Sequence, residues 1–158
     1  MAIKHSYNIT INWTGNTGFG TKDYSAYERS HIISIENKVD LFASSDKSFL
    51  GDGSKHNPEE LFISSISSCH MLWYLHLCAI NGIVVIKYRD DVSGTMVETA
   101  ENGGHFTEVV LRPIVVITDA TRISRANELH KEANKMCFIA NSCNFPISYI
   151  PQCSALSD

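Results

Sequence analysis

The feature that most constrains this chain is an uncharged run from Leu61 to Ile80. Directly before it, Asn57 can cap a helix, Pro58 suits the first helical position, and Glu60 stands where it completes a capping box. Gly82 follows the run and suits the left-handed residue that ends many helices. The pattern therefore predicts a long helix that is apolar nearly all round, which places it in the middle of the fold.

A run of this length could also span a membrane. It contains four serines and two histidines, however, and Glu59 and Glu60 stand at its start. These polar side chains favour the buried helix of a globular domain. We therefore expect neither a membrane span nor a membrane partner.

Shorter patterns surround this helix. Apolar and polar residues alternate over 7–13, which predicts a strand, and a second helix is predicted at 122–136. Further strands are predicted at 31–35, 39–42, 83–89, 91–98, 106–118 and 145–150. Pro113 interrupts the longest of them, so we expect a bulge or a sheet edge there. This order of elements indicates an α+β fold, and the length suits a single domain over 1–158.

Composition excludes several classes of protein. The chain has 13 Lys and Arg against 17 Asp and Glu, with no basic block, so it lacks the electrostatic footprint of a nucleic-acid binder. The N-terminal residues lack the apolar segment of a signal peptide, which predicts a cytoplasmic location, where thiols stay reduced. Five cysteines are an odd number for a disulfide framework, so redox, metal-binding and core roles stay open.

Two cysteines are candidates for chemistry. Cys69 lies in the middle of the predicted long helix, and Cys137 follows the second helix. From the residues alone, a small packed core residue is the favoured interpretation of Cys69 and an equally good one of Cys137. If a short helix restarts at Cys137, its N-terminal amides would lower the pKa of that thiol. Cys78 points to the other side of the helix from Cys69 and is expected in the core, while Cys143 and Cys153 are expected to be incidental.

Metal binding and hydrolysis are alternative uses of these side chains. No pair of the possible ligands stands at CxxC or HxxxH spacing, so no metal site is predicted. The possible ligands are Cys69, His70, His76, Cys78, His130 and Cys137. A Cys–His hydrolase needs one histidine held against one cysteine, and no pairing stands out. His70 and His76 are expected to be core or interface histidines.

The residues Asn57-Pro58-Glu59-Glu60-Leu61-Phe62, followed by Ser67-Ser68-Cys69-His70, resemble the OsmC/Ohr family of osmotically induced and organic hydroperoxide resistance proteins. That family has a cysteine ten residues after the glutamate and a second one after the last long helix, as Cys69 and Cys137 are here. The segment His130-x-x-Ala133-x-x-x-Cys137 is similar to the family's second cysteine segment. The resemblance covers nearly the whole chain. It implies antiparallel sheets around a long central helix in an intertwined homodimer.

The resemblance also implies a thiol-dependent peroxidase that needs no cofactor. Cys69 would attack an organic hydroperoxide and become a sulfenic acid, with inorganic hydrogen peroxide left open as a substrate. Cys137 would close a disulfide, and a dithiol would reopen it, a lipoyl protein being one candidate. Glu59 matches the family's acidic residue. The Gly-rich loop that usually carries the activating arginine has none here, and Arg29 is the nearest candidate, which indicates an OsmC-like branch.

Two other functions stay open. The chain could be a non-catalytic stress or ligand-binding protein that keeps the fold and uses an apolar pocket, or it could be a thiol redox sensor. Both cysteines at the family positions favour the enzyme. An apolar mouth for an alkyl peroxide is expected from Phe62, Met71, Trp73 and Phe138.

Helix length adds an argument for a dimer. Glu59 and Cys69 are ten residues apart on the predicted helix, which is about 15 Å along its axis. A glutamate side chain cannot span that distance, so Glu59 cannot join the Cys69 of its own chain. It could join the Cys69 of a second copy if two such helices packed antiparallel about a two-fold axis. The sequence thus predicts an obligate homodimer with composite active sites.

Overall fold

A computed structural model describes residues 3–100 and 103–156 of the chain. The chain divides into two compact units, Met1–Leu61 and Phe62–Asp158. The first unit contains one antiparallel sheet in the order β1-β2-β3, and its strands are β1 (Thr10–Trp13), β2 (His31–Ser34) and β3 (Leu41–Ala43). Asn37 adopts a left-handed φ of 62° in the turn between the second and third strands.

The long helix α1 (Pro58–Ile80) begins and ends as its sequence predicts. The Asn57 side chain accepts a hydrogen bond from the Glu60 amide at 2.8 Å, and the Asn57 amide donates to the Glu60 carboxylate at 3.3 Å. These two bonds form the predicted capping box. At the other end, Gly82 has a φ of 66°, and the Ile83 amide donates back to the Cys78 carbonyl at 2.9 Å. The helix thus stops at a left-handed glycine.

The second unit contains two three-stranded sheets and a second helix. The sheets run in the orders β4-β7-β9 and β5-β6-β8. Both are mixed, because β4 with β7 and β5 with β6 pair antiparallel whereas β7 with β9 and β6 with β8 pair parallel. The elements are β4 (Val85–Asp90), β5 (Ser93–Thr99), β6 (Gly103–Leu111), β7 (Pro113–Ile117), α2 (Ile123–Met136), β8 (Ile147–Tyr149) and β9 (Gln152–Ala155). The α+β class is confirmed, with two parallel pairings added to the antiparallel ones.

The single strand predicted at 106–118 is wrong in one respect. The structure divides it at Arg112 into β6 and β7, which belong to different sheets. The Arg112 amide leaves the strand pairing and donates instead to the Asp90 carboxylate at 2.6 Å. Pro113 then opens β7 at the first position of the strand, where its missing N–H is tolerated. The predicted final strand corresponds to β8, and β9 was not predicted.

The core of the second unit lies along one stripe of α1. Four of its residues are buried at regular helical spacing, Ile66, His70, Tyr74 and Cys78. The buried side chains of α2 are Ala126, Leu129, His130 and Ala133. Cys78 is 1% exposed, which confirms it as a core residue. Within the described residues α1 also has the length and composition of a membrane span, two properties that it shares with core helices.

Candidate active site at two thiols

The structure brings Cys69 and Cys137 together within the second unit. Cys69 lies on α1 and is partly exposed, whereas Cys137 ends α2 and is fully buried. The Cys69 thiol is close enough to the Cys137 thiol to act on its pKa. In the described part of the chain both residues are free thiols. The two thiols, 68 positions apart in the sequence, are thus neighbours in the fold, and only that of Cys69 is partly exposed.

The surroundings of Cys137 keep its thiol protonated. Its Sγ donates to the Ile66 carbonyl at 3.9 Å and accepts from the Ala140 amide at 3.4 Å. Burial, and after it the neighbouring Cys69 thiol, raise the pKa of Cys137 to about 12. The expected lowering of this pKa by a restarted helix is therefore wrong. A short 3₁₀ turn does supply an amide, but the loss of hydration outweighs one amide hydrogen bond.

An aromatic wall lies beside the thiols. Trp73 is one helical turn beyond Cys69, and Phe138 directly follows Cys137. The two rings meet edge to face, with centroids 5.6 Å apart, and Phe138 is 67% exposed. An apolar group that approached Cys69 could therefore rest on this wall. Phe62, also expected there, packs instead on Phe106 and Phe145 in the core.

Arg29 is held by its own segment in the first unit. Its guanidinium lies 4.3 Å from the ring centroids of both Tyr24 and Tyr27. It also donates hydrogen bonds to the carbonyl oxygens of the same two tyrosines. Two aromatic faces and two carbonyls thus fix a partly buried positive charge just before β2.

Glu59 lies in the first turn of α1 and is partly exposed. Its Oε2 atom is buried and has no hydrogen-bond partner among residues 3–100 and 103–156. A buried carboxylate oxygen strongly favours a donor, so Glu59 has capacity for a further partner. Arg29 and Glu59 both belong to the first compact unit, and Cys69 and Cys137 belong to the second.

Sequence reasoning missed a histidine pair in the same core. His70 Nε2 and His130 Nδ1 are 3.0 Å apart, and the rings are 1% and 0% exposed. Burial lowers the pKa of His70 to about 4 and that of His130 to about 3, so both are neutral at pH 7. The Tyr74 ring stacks on His130 with centroids 3.9 Å apart. A signal existed, because His70 and Tyr74 are four residues apart on an apolar helix and His130 precedes Cys137 by two turns.

Comparison with solved structures supports the same fold. An OsmC-like protein of Vibrio cholerae matches with a TM-score of 0.85 and 26% identity, over 94% of this chain and 100% of that one. Organic hydroperoxide resistance proteins of Elizabethkingia anophelis and Legionella pneumophila match with TM-scores of 0.67 and 0.64 and identities of 20% and 17%. The first alignment covers 98% of this chain and 100% of that one, and the second covers 96% and 99%.

The sequence comparisons give a family and no individual relative. No curated protein sequence matches the chain. The family model for OsmC-like proteins matches residues 51–149, which include α1, both candidate cysteines and α2. This match covers more than half of the chain and agrees with the structural neighbours. The chain therefore belongs to the OsmC-like protein family, the OsmC/Ohr family that its helix start and paired cysteines indicated.

Proposed function

We propose that this protein is a thiol-dependent peroxidase that reduces organic hydroperoxides through Cys69 and Cys137. The observation that carries the proposal is the pair of adjacent free thiols, one partly exposed on α1 and one buried at the end of α2. A nucleophile must meet its substrate, whereas a resolving thiol must wait until the first sulfur has reacted. The unequal exposure of the two thiols supports this division of roles.

Each step of the proposed reaction balances. The Cys69 thiolate attacks the outer peroxide oxygen, the O–O bond breaks, and an alcohol leaves with a proton from solvent. Cys69 is then a sulfenic acid. The Cys137 thiol attacks its sulfur, which forms the disulfide and releases water. An external dithiol then exchanges with this disulfide, which restores both thiols and oxidises the dithiol to its own disulfide.

The surroundings of the thiols support one class of substrate. The wall of Trp73 and Phe138 suits a hydroperoxide with an apolar alkyl or aryl group. The solved neighbours described as organic hydroperoxide resistance proteins agree with that class. Hydrogen peroxide lacks an apolar group and should react more slowly. We propose that the whole chain acts as one domain in the cytoplasm, with a dithiol such as a lipoyl protein as its reductant.

The test is turnover of cumene hydroperoxide by the purified protein with dihydrolipoamide as the dithiol. We expect multiple turnovers, with a higher kcat/KM for cumene hydroperoxide than for hydrogen peroxide. A ligand-binding protein would consume no peroxide. A redox sensor would consume one equivalent and then stop even with dithiol present. Either of these two results would overturn the proposed enzyme.

Arg29 is the proposed activator of Cys69, with Glu59 orienting its guanidinium across a dimer. A positive charge beside a thiol lowers its pKa, so Arg29→Ala should slow alkylation of Cys69 at pH 7 by about tenfold. The measurement is the rate of iodoacetamide alkylation of Cys69 against pH, in a background where the other cysteines are serine. Arg29→Lys, which keeps the charge, should lie between wild type and Arg29→Ala. An unchanged rate–pH profile would assign the activation to another basic group.

We also propose that the protein is a homodimer formed along the outer face of α1. Ser64, Ser68 and Leu72 form an exposed stripe at four-residue spacing, opposite the buried stripe, and Leu72 is 63% exposed. Two small serines would let a second helix approach closely. The Glu59 carboxylate oxygen, which has no partner within the described residues, would gain its donor at the composite site. That site would contain the other chain's Cys69, because about 15 Å of helix separates Glu59 from its own.

Leu72→Glu tests this interface. Two copies of the new carboxylate would face each other across the two-fold axis without a partner, so we expect a monomer by light scattering at micromolar concentration. Turnover should fall with the dimer, because each site would lose the other chain's Glu59. The control is Val97→Glu, an equally drastic change at a 39% exposed side chain of β5, outside the α1 stripe, which should leave the dimer intact. A wild-type monomer, or a dimeric and fully active Leu72→Glu, would refute the interface.

A further inference from the structure

We infer that the hydrogen bond between His70 and His130 is a positioning device that holds Cys137 against Cys69 and so favours formation of their disulfide. The inference rests on the proposed function, since it assigns a role in the resolving step. Neither histidine needs to touch the reacting sulfur atoms. They act through the two helices that carry those atoms.

Two polar contacts tie α1 to α2. One joins His70 Nε2 to His130 Nδ1 at 3.0 Å, and the other joins Cys137 Sγ to the Ile66 carbonyl at 3.9 Å. On α1 the two contact points are one turn apart, and on α2 they are two turns apart. The two helices therefore run in opposite directions where they meet. Two separated contacts fix both the translation and the rotation of one helix on the other. Cys69 lies between the two contact points on α1, Ile66 and His70.

The histidine contact is suited to fix the position of α2 along α1. Both rings are fully buried and uncharged at pH 7, so one ring donates its N–H and the other accepts it. Among the described residues the other nitrogen of each ring, His70 Nδ1 and His130 Nε2, is already buried without a partner. A slip of α2 along α1 would leave two more ring nitrogens unpaired in the interior, where water cannot replace the partner. Tyr74 stacks on His130, and the ring centroids of Tyr149 and His70 are 5.8 Å apart. These contacts also hold the planes of the two histidine rings.

Arg122 and Arg125, at the start of α2, also donate hydrogen bonds to Asn81, which directly follows α1 and lies twelve positions after Cys69. The other contacts between α1 and α2 are less specific. The buried α2 residues around His130 are Ala126, Leu129 and Ala133, which are apolar and tolerate small shifts of position. A disulfide is less tolerant, because its two Cα atoms must lie within about 4.4–6.8 Å of each other. Loosening the histidine contact would therefore lower the effective concentration of one thiol at the other. It would leave the approach of peroxide to Cys69 unchanged.

The experiment measures the two steps separately at pH 7. The first measurement is the equilibrium constant for forming the Cys69–Cys137 disulfide in a dithiothreitol redox buffer. The second is the rate of Cys69 alkylation in the same variants with Cys137→Ser added. His130→Phe keeps the planar ring but cannot hydrogen-bond. It should lower the equilibrium constant by about tenfold, which is about 30 mV for this two-electron couple. Its alkylation rate should stay within about twofold of the parent's, since burial of Cys69 is unchanged.

Two further variants separate positioning from general stability. The Asn side chain in His130→Asn can place its amide where Nδ1 was, so it should restore the equilibrium constant to within about threefold of wild type. Leu129→Ala opens a cavity on the same face of α2 without touching the hydrogen bond, so it should lower the melting temperature and leave the equilibrium constant unchanged.

Three results would overturn the inference, and a fourth would do so if His130→Phe does not fold. The first is a wild-type equilibrium constant in a folded His130→Phe. The second is an effect of Leu129→Ala as large as that of His130→Phe. If His130→Phe does not fold, a deficient His130→Asn counts against the positioning role in the same way. Absence of peroxide turnover alone would affect only the proposed function, because the redox buffer forms the disulfide without peroxide. The third is failure of the wild-type disulfide to form at any buffer ratio, which would remove both proposals.

Discussion

Replacing Cys69 with serine is expected to abolish the turnover of cumene hydroperoxide, with a loss of at least about a thousandfold in kcat/KM. A serine hydroxyl stays protonated at neutral pH and does not attack peroxide oxygen as a thiolate does. Cys69 is partly exposed, whereas Cys137 is buried and cannot replace it as the nucleophile. The loss of turnover can therefore be assigned to Cys69. Burial raises the pKa of Cys137 to about 12, so almost none of it is thiolate at pH 7.

Cys137→Ser should behave differently from Cys69→Ser. Its Cys69 would still reduce one equivalent of peroxide and would then remain a sulfenic acid, because no thiol lies beside it. A second equivalent of peroxide would convert that acid to the sulfinic form. Intact-protein mass spectrometry after one and after several equivalents of peroxide distinguishes these products.

The matched control for both variants is Cys143→Ser. Cys143 is a partly buried thiol that donates to the Ile139 carbonyl at 3.3 Å, a bond that a serine hydroxyl can replace. It should keep at least half of the wild-type turnover. Equal losses in Cys137→Ser and Cys143→Ser would mean that the resolving residue is not uniquely Cys137.

The predictable parts of the fold are those fixed by neighbouring residues. The start of α1 is set by Asn57, Pro58 and Glu60, which are three positions apart at most, and its end is set by Gly82. Local hydrogen bonds and local φ preferences decide such boundaries, so the sequence carries them directly. The spacing of Cys69 and Cys137 indicated the family for a different reason. It resembles the spacing in that family, whereas no local structure relates the two positions.

The unpredicted parts depend on distant residues. Arg112 ends β6 because its amide is captured by Asp90, twenty-two positions earlier, and no local pattern reports that bond. His70 and His130 pair across sixty positions. The raised pKa of Cys137 has the same origin, since burial by α1 outweighs the local amide that the sequence did suggest. Each of these features exists only after α1, α2 and the sheets have packed.

Mild acid should destabilise the folded protein through the buried histidine pair. Burial lowers the pKa of His70 to about 4 and that of His130 to about 3, whereas a histidine in the unfolded chain titrates near 6.5. Above pH 6.5 both states are neutral and the pair has no effect. Below it the unfolded chain binds protons that the folded core excludes, so the free energy of unfolding falls as pH falls. Asp90, whose carboxylate favours the charged form of His70, offsets only part of this effect.

The expected loss is about 2.5 kcal/mol from His70 by pH 4.5, with a contribution of similar size from His130, against a typical total stability of about 5–15 kcal/mol. Urea unfolding between pH 7 and 4.5 measures it, because the carboxylates with lowered pKa values, such as Asp119, titrate below that window. The double variant His70→Phe and His130→Phe should flatten the slope of unfolding free energy against pH. His76→Gln removes an exposed histidine of the same helix and should leave the slope unchanged. If the double variant kept the wild-type slope, the acid sensitivity would have to come from other groups, and the pair would not be a neutral buried contact.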